Sequence, residues 1–275
     1  MTGDAPQISV TEAKEILEAT RLGQRTLLDV RQDFEYAEGH LPGATHIPLP
    51  ELSERVGELD PALPTVVYCR SGMRSLAAAN LLHGLGYRDV ASMRGGIMAW
   101  EGAQAQGPFD LGLAKLLAPK NAQELLERAW AMELALGEFY ATLAGKSVDA
   151  DVSALFGRLA GFEEKHRRTL TEIWKRLGGN DSSGFESRAK AFASADSLEG
   201  GIGPSDYLGM IGDPVSVPEA LELAMAVEAQ AMDLYLRRAK TETDADLRRT
   251  LVLLAEEEKA HLKVLGTFVD GRNRF

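Results

Sequence analysis

The chain places glutamate and histidine at the same intervals in two separate segments. In each segment a first glutamate is followed 30 residues later by a second, and a histidine stands three residues after the second. The sets are Glu133, Glu163 and His166 in the first segment and Glu228, Glu258 and His261 in the second. Residues three apart share a face of an α-helix. Two helical hairpins carrying these sets would form the ligand set of a two-metal site in a four-helix bundle.

The ligand types limit the choice of metal. Oxygen and imidazole ligands with no thiolate favour iron or manganese, with zinc as a third candidate. Four buried carboxylates would repel one another, and two divalent cations would cancel that charge and stabilise the fold. A single Glu-x-x-His on a helix often arises by chance, whereas its matched repetition favours the metal site. The neighbouring acids Glu164, Glu256 and Glu257 are interpreted as solvated or as partners of the ligands.

Two tyrosines follow the same spacing. Tyr140 and Tyr235 each stand seven residues after the first glutamate of their segment. Seven residues are about two helical turns, so each tyrosine shares a face with its glutamate. Two interpretations stay open: hydroxyls that hydrogen-bond ligands or carry radicals, and aromatic rings that pack.

Four long helices must position these residues. The sequence predicts them near 121–145, 149–177, 216–240 and 243–269. Short turns join the first helix to the second and the third helix to the fourth. The segment 178–215 is rich in Gly, Ser and Asp. It supplies the long crossover that a bundle needs when its second and third helices run parallel.

With these ligands and helices, residues 121–270 resemble the rubrerythrin type of the ferritin-like family. The resemblance implies a non-haem di-iron centre that reacts with hydrogen peroxide or dioxygen. It implies that Glu163 and Glu258 bridge the two metals, and that at least a homodimer forms. The remaining ligands implied are Glu133 and Glu228 as terminal carboxylates, with His166 and His261 each holding one metal.

Two departures from that family pattern stand out. Rubrerythrins usually carry another Glu three residues after the third-helix ligand, and here that position is Ala231. The ligand exchange associated with that Glu is therefore not expected. Rubrerythrins also usually carry a rubredoxin domain, which the single cysteine of this chain excludes. Electrons would have to arrive from an external donor.

The single cysteine, Cys69, stands in a second chemical setting. It ends an apolar stretch and opens the loop CRSGMRS (69–75), before a helix that starts near Ser75. Amide groups of the loop, the helix dipole, Arg70 and Arg74 should lower the thiol pKa and favour the nucleophilic thiolate. A lone cysteine can also be a small buried hydrophobe, but its position before a helix favours the reactive interpretation.

Short strands are predicted around this loop. TLLDV (26–30), TVVYC (65–69) and DVASM (89–93) are aliphatic and bounded by turn residues. Helical patterns at 11–20 and 75–86 alternate with them. This alternation predicts a parallel α/β sheet flanked by helices.

Residues 8–102 resemble the rhodanese family. The matching segments are LLDVRQDFEYAEGHLPGATHIPL (27–49), VVYCRSGMRSLAAANLL (66–82) and MRGGIMAW (93–100). The resemblance implies a sulfurtransferase in which Cys69 carries sulfane sulfur as a persulfide, with Arg70 and Arg74 attracting an anionic donor such as thiosulfate. The implied cradle for the sulfur is formed by Ser71, Gly72, Met73 and Ser75. Asp29 and Arg31 match the structural Asp-x-Arg pair of the family.

A protein-phosphatase function for the same loop is less favoured. Phosphatases also use a loop that runs from Cys to Arg, and here Arg74 follows Cys69 by five residues. Related phosphatases have a loop that is one residue longer and wide enough for phosphate. The shorter loop fits sulfur transfer better.

Composition excludes several classes of function. The chain has 275 residues and a net charge of −11, which disfavours binding to nucleic acid or to an anionic membrane surface. Its start has neither the basic nor the apolar region of a signal peptide, so a cytoplasmic location is expected. The expected organisation is an α/β domain at 1–104, a linker at 105–120 and a helical bundle at 121–275.

Two functional hypotheses follow for the whole chain. The first is a two-headed redox and sulfur protein, which joins a persulfide-forming sulfurtransferase to a di-iron peroxidase or oxidase. The second is an iron-binding or sulfide-sensing regulatory protein with little turnover at the di-iron site. Rapid and repeated reaction of the reduced protein with peroxide would separate the two.

Overall fold

The computed structural model describes residues 5–106, 121–193 and 216–272, which fall into an α/β unit and a helical unit. Most of the predicted linker (107–120) and the later part of the predicted crossover (194–215) lie outside the described residues. Within the described ranges no helix is both long enough and apolar enough to cross a membrane.

The α/β unit contains one five-stranded parallel sheet with strand order β1-β5-β4-β2-β3. Its strands are β1 (Gln7–Ile8), β2 (Thr26–Asp29), β3 (Thr45–His46), β4 (Thr65–Tyr68) and β5 (Val90–Met93). The three predicted strands are confirmed to within one residue at each end. The two outer strands were not predicted, because two residues are too few to produce a recognisable pattern.

Helices cover both faces of this sheet. They are α1 (Val10–Ala19), α2 (Asp33–Glu38), α3 (Leu52–Arg55) and α4 (Met73–Gly84), with 3₁₀ turns at Leu49–Glu51, Val56–Glu58 and Gly96–Ala99. Side chains alternate between two buried clusters, as a pleated strand requires. Leu28 and Val67 lie in one cluster, and Leu27 and Val66 lie in the other. The buried sheet therefore carries Cys69 to the end of β4.

The predicted structural pair of the α/β unit is buried. Arg31 Nη2 lies 2.6 Å from Asp29 Oδ2, and it also donates a hydrogen bond of 2.7 Å to the carbonyl oxygen of Gly39. Charged hydrogen bonds of this kind are among the strongest in proteins. The pair thus ties the end of β2 to the end of α2.

Within the described residues, the helical unit contains four long helices and one short one. They are α5 (Ala122–Lys146), α6 (Ala150–Arg176), α7 (Ser182–Ala193), α8 (Val217–Thr241) and α9 (Ala245–Arg272). The four predicted long helices are confirmed, with each end within three residues of its expected position. The side chains of Asn121 and Ser216 accept hydrogen bonds from the amides of Glu124 and Glu219, which satisfies the first turns of α5 and α8.

Helix α7 is a correction to the sequence analysis, which assigned its residues to the crossover. Gly and Ser near its start hid the helical pattern, since both have lower helix propensity than Ala. Tertiary packing supports the helix. Phe185 is fully buried and stacks on Trp174 with ring centroids 4.9 Å apart, and Arg188 Nε lies 2.6 Å from Glu127 Oε1.

Candidate metal and thiol sites

The six predicted ligands meet inside the helical unit. Each of these residues is at most 4% exposed. Their ligand atoms form two groups in which all atoms lie within 4.8 Å of one another. The groups are Glu133, Glu163, His166 and Glu258, and Glu163, Glu228, Glu258 and His261. Glu163 and Glu258 belong to both groups, so the geometry offers two adjacent cation positions with two shared carboxylates.

Both imidazoles turn the same nitrogen toward the carboxylates. Nδ1 of His166 lies 2.8 Å from Glu133 and 3.1 Å from Glu163. Nδ1 of His261 lies 3.2 Å from Glu228 and 3.1 Å from Glu258. The two rings are nearly parallel, with centroids 5.2 Å apart and an angle of 4° between them. The Nδ1 atoms are therefore the nitrogens available to a metal between the helices.

The carboxylate oxygens test whether cations fit here. Among the described residues, no group donates a well-aligned hydrogen bond to either oxygen of Glu163 or Glu258, although all four oxygens are buried. Burial, together with the charges of Glu133 and Glu228, raises the pKa of both residues well above the ordinary value. Buried carboxylates without hydrogen bonds are costly unless a cation compensates their charge. The residues present thus fit two divalent cations.

Tyr140 on α5 forms a hydrogen bond with Glu228 on α8. Its hydroxyl donates a hydrogen bond of 2.5 Å to Glu228 Oε1, and its ring stacks on Phe156 with centroids 6.0 Å apart. Burial and the nearby carboxylates raise the pKa of Tyr140 well above the ordinary value, so the hydroxyl stays protonated and remains a donor. Tyr140 therefore both contacts a predicted ligand, Glu228, and packs against an aromatic ring. Tyr235 is fully buried on α8.

The thiol lies at the start of a narrow loop between β4 and α4. Cys69 is 1% exposed, and its Sγ accepts a hydrogen bond of 3.1 Å from the Gly72 amide. Burial alone would raise the pKa of the Cys69 thiol. Hydrogen bonds from the amide and hydroxyl of Ser75, and from the amides of Gly72 and Ser71, outweigh burial and lower that pKa below its ordinary value. The loop backbone thus stabilises the thiolate.

The segment 96–98 forms backbone hydrogen bonds with the start of the cysteine loop. The amides of Ile97 and Met98 donate hydrogen bonds of 2.8 Å and 3.1 Å to the carbonyl oxygens of Cys69 and Arg70. A side chain at Gly96 would approach the Cys69 carbonyl oxygen to 2.3 Å. The close approach therefore requires glycine, which explains physically why the segment 93–100 accompanies the cysteine loop.

Comparison with known proteins agrees with this geometry. The rubrerythrin family profile matches residues 124–268, which is more than half of the chain. This chain belongs to the rubrerythrin family. A rhodanese-like domain profile matches residues 9–103. Rubrerythrin membership implies a di-iron site, and the buried carboxylate–imidazole cluster offers ligands for one.

Two relatives of the rhodanese-like domain are similar to it over nearly their whole length. YtwF of Bacillus subtilis is 42% identical over 96 residues, which cover 35% of this chain and 90% of that protein. The thiosulfate sulfurtransferase GlpE of Pseudoalteromonas translucida is 31% identical over 99 residues, which cover 36% of this chain and 91% of that protein. A rhodanese-related crystal structure from Thermoplasma volcanium is 32% identical and covers 34% of this chain and 89% of that one, with a TM-score of 0.31.

The two arginines of the cysteine loop have different surroundings. Arg70 is exposed, and Met73 is 76% exposed. The guanidinium of Arg74 instead donates two hydrogen bonds, of 2.6 Å and 2.7 Å, to the carboxylate of Glu35. The Arg74 hydrogen bonds lower the pKa of Glu35 to about 2. Glu35 is a residue that sequence reasoning missed, because nothing in its spacing links it to a loop 39 residues away.

The residues that contact the two imidazoles of the cluster differ between the two helical hairpins. Glu257 Oε2 lies 2.6 Å from Nε2 of His166, whereas the ring of Phe162 stacks on His261 with centroids 5.0 Å apart. Glu257 therefore contacts a predicted ligand, although its side chain is 40% exposed. Glu164 pairs instead with Arg168 at 3.0 Å. A cavity of about 290 Å³ lies over both imidazoles, lined by Phe162, Lys165, His166, Thr169, Glu257, Ala260, His261 and Val264.

Proposed function

We propose that this protein joins two activities: persulfide-forming sulfur transfer at Cys69, and reaction of a di-iron centre with hydrogen peroxide or dioxygen. The metal half of the proposal depends on one observation, the two ligand groups that share Glu163 and Glu258. The thiol half depends on the loop amides that lower the pKa of Cys69. The relatives of the rhodanese-like domain include thiosulfate sulfurtransferases, which supports an anionic sulfur donor.

Sulfur transfer at Cys69 would proceed by nucleophilic displacement. The thiolate attacks the outer sulfur of thiosulfate, a new S–S bond forms at Cys69, and the bond to the inner sulfur breaks. The bonding electrons leave with sulfite, so charge and atoms balance without an added oxidant. The amides of Ser71 and Gly72, with Ser75, would then hold the terminal sulfur of the persulfide. Exposed Arg70 would attract the donor, whereas the guanidinium of Arg74 is hydrogen-bonded to Glu35.

At the bundle centre the chain would hold the metals and control their surroundings. Glu133 with His166, and Glu228 with His261, would each serve one position, while Glu163 and Glu258 would bridge both. When bound, two ferrous ions would supply two electrons to the O–O bond of the oxidant. Tyr140 orients Glu228 through its hydrogen bond, and burial of the four carboxylates shields them from bulk water. An external electron donor would restore the reduced state.

The decisive experiment is anaerobic stopped-flow mixing of the reduced, iron-loaded protein with hydrogen peroxide. We expect rapid oxidation of the iron and repeated turnover when a chemical reductant is present. Slow oxidation without repeated turnover would contradict the redox activity and favour the iron-binding or sulfide-sensing regulatory function.

The same experiment tests whether the two activities communicate. The protein is compared with Cys69 free and with Cys69 preloaded with sulfur from thiosulfate. A changed rate of iron oxidation after preloading would identify sulfur as an electron source or substrate for the centre. An unchanged rate would mean that the activities are independent and that the electron donor is a separate molecule.

A further inference from the structure

The repeated hairpins match in their ligands but differ at the residue before each bridging glutamate. Phe162 precedes Glu163 on α6, and Glu257 precedes Glu258 on α9. Each of these two side chains crosses to the histidine of the other hairpin. Glu257 contacts Nε2 of His166 at 2.6 Å, and Phe162 stacks on the ring of His261 at an angle of 16°.

The carboxylate of Glu257 lies 2.6 Å from Nε2 of His166, on the side of the ring opposite the cluster. With Nε2 donating to Glu257, Nδ1 would be left to bind a metal held by Glu133 and Glu163, which lie 2.8 Å and 3.1 Å from it. A carboxylate in this position orients a metal-binding imidazole and raises its basicity. Such a partner changes metal affinity by about 10- to 100-fold.

The Nε2 side of the His261 ring has a different environment from that of His166. In the described part of the chain, its contacts with carboxylates all involve Nδ1, and none involves Nε2. The Phe162 ring lies against the imidazole face, where it packs but accepts no in-plane hydrogen bond from Nε2. The orientation of this ring therefore depends on packing rather than on an anionic hydrogen-bond acceptor.

We infer that Glu257 is a positioning residue that makes the two metal positions unequal, with the position on His166 binding its ion more tightly than the position on His261. This inference rests on the proposed two-metal centre. It assigns a role to a glutamate that is not itself a ligand. The side chain of Glu257 is 40% exposed and borders the cavity over the imidazoles, so its replacement removes little packing.

The test is anaerobic calorimetric titration of the metal-free full-length chain with ferrous ion. We expect two ions to bind in two steps that differ at least tenfold in dissociation constant. Glu257→Ala should weaken the tighter step by about 10- to 100-fold and leave the weaker step unchanged. Glu257→Gln keeps a hydrogen-bond acceptor without the charge, so it should restore part of the lost affinity.

Glu164→Ala is the matched control, because Glu164 also neighbours a bridging ligand but pairs with arginines on its own helix. It should leave both steps unchanged. A purely structural role of Glu257 predicts instead that Glu257→Ala weakens both steps equally. Mössbauer spectra of the iron-loaded protein add a second measurement: two iron environments should differ in the wild type and become more alike in Glu257→Ala.

The possible failures are distinguishable. A chain that binds no ferrous ion would overturn the metal centre and this inference together. Binding of two ions with identical steps in the wild type and in Glu257→Ala would overturn this inference alone, and so would equal weakening of both steps.

Discussion

The thiol loop and the metal cluster build reactive sites in opposite ways. The thiol site comes from seven consecutive residues, 69–75, and mostly from their backbone amides. The metal cluster takes six side chains from four helices, and its first and last members, Glu133 and His261, are 128 residues apart. In the loop, hydrogen bonds already stabilise the charged thiolate. In the cluster, four buried oxygens have no aligned donor among the described residues.

This difference shows where the stabilising energy of each site comes from. The loop is completed by the fold, because amides that must be satisfied anyway point at one sulfur. The cluster is completed only by cations, because its like charges repel in the absence of metal. We therefore expect substitutions in one site to leave the chemistry of the other unchanged.

Replacement of the nucleophile should have the largest effect. Cys69→Ser removes the thiolate, so thiosulfate:cyanide sulfur transfer should fall by about a thousandfold or more. Ferrous ion binding should stay at the wild-type stoichiometry if the two sites are independent. Steady-state assay of sulfite release and anaerobic metal titration measure the two quantities. Sulfur transfer that survives this change would disprove the thiol assignment.

Loss of a shared carboxylate should have the next largest effect. Glu258→Gln preserves size but removes a ligand common to both groups, so at most one ferrous ion should remain bound. The stabilisation of the fold by added metal should fall with it, which thermal unfolding with and without ferrous ion can measure.

Two results complete this second test. Sulfur transfer by Glu258→Gln should equal that of the wild type, because Cys69 and its loop are unchanged. Retention of both ions at wild-type affinity would show that the ligand assignment is wrong.

The smallest effect should come from one hydroxyl near the thiol. Ser75→Ala removes the side-chain hydrogen bond that lowers the pKa of Cys69, while the Ser75 amide remains. The thiol pKa should rise, so the pH midpoint of iodoacetamide alkylation should move to higher pH. At neutral pH the alkylation rate should fall by less than about tenfold, since one pKa unit is a tenfold change.

Ser71→Ala provides the control for this measurement. Ser71 contributes to the thiol through its amide and not through its hydroxyl, so its replacement should leave the alkylation midpoint unchanged. An equal shift in both variants would show that the effect arises from altered loop conformation and not from the Ser75 hydroxyl.

Much of the architecture could be predicted because its signals are local. The strand carrying Leu27 and Leu28 and the long helices carrying Glu163 and Glu258 follow from apolar periodicity and turn residues. Helix α7 was missed because it is supported by contacts such as Arg188 with Glu127, which lie 61 residues apart and share no short sequence window. The outer strands β1 and β3 were missed because each has only two residues.

The sequence by itself determined the ligand types, their repeated spacing and the cysteine loop, because helical and loop geometry convert short intervals into shared faces and converging amides. Only the tertiary structure decided which distant groups complete each site. Arg74 is held by Glu35, and His166 is held by Glu257 while His261 meets Phe162. The physical reason is that such contacts join separate elements, and their selection depends on packing across the fold and not on separation along the chain.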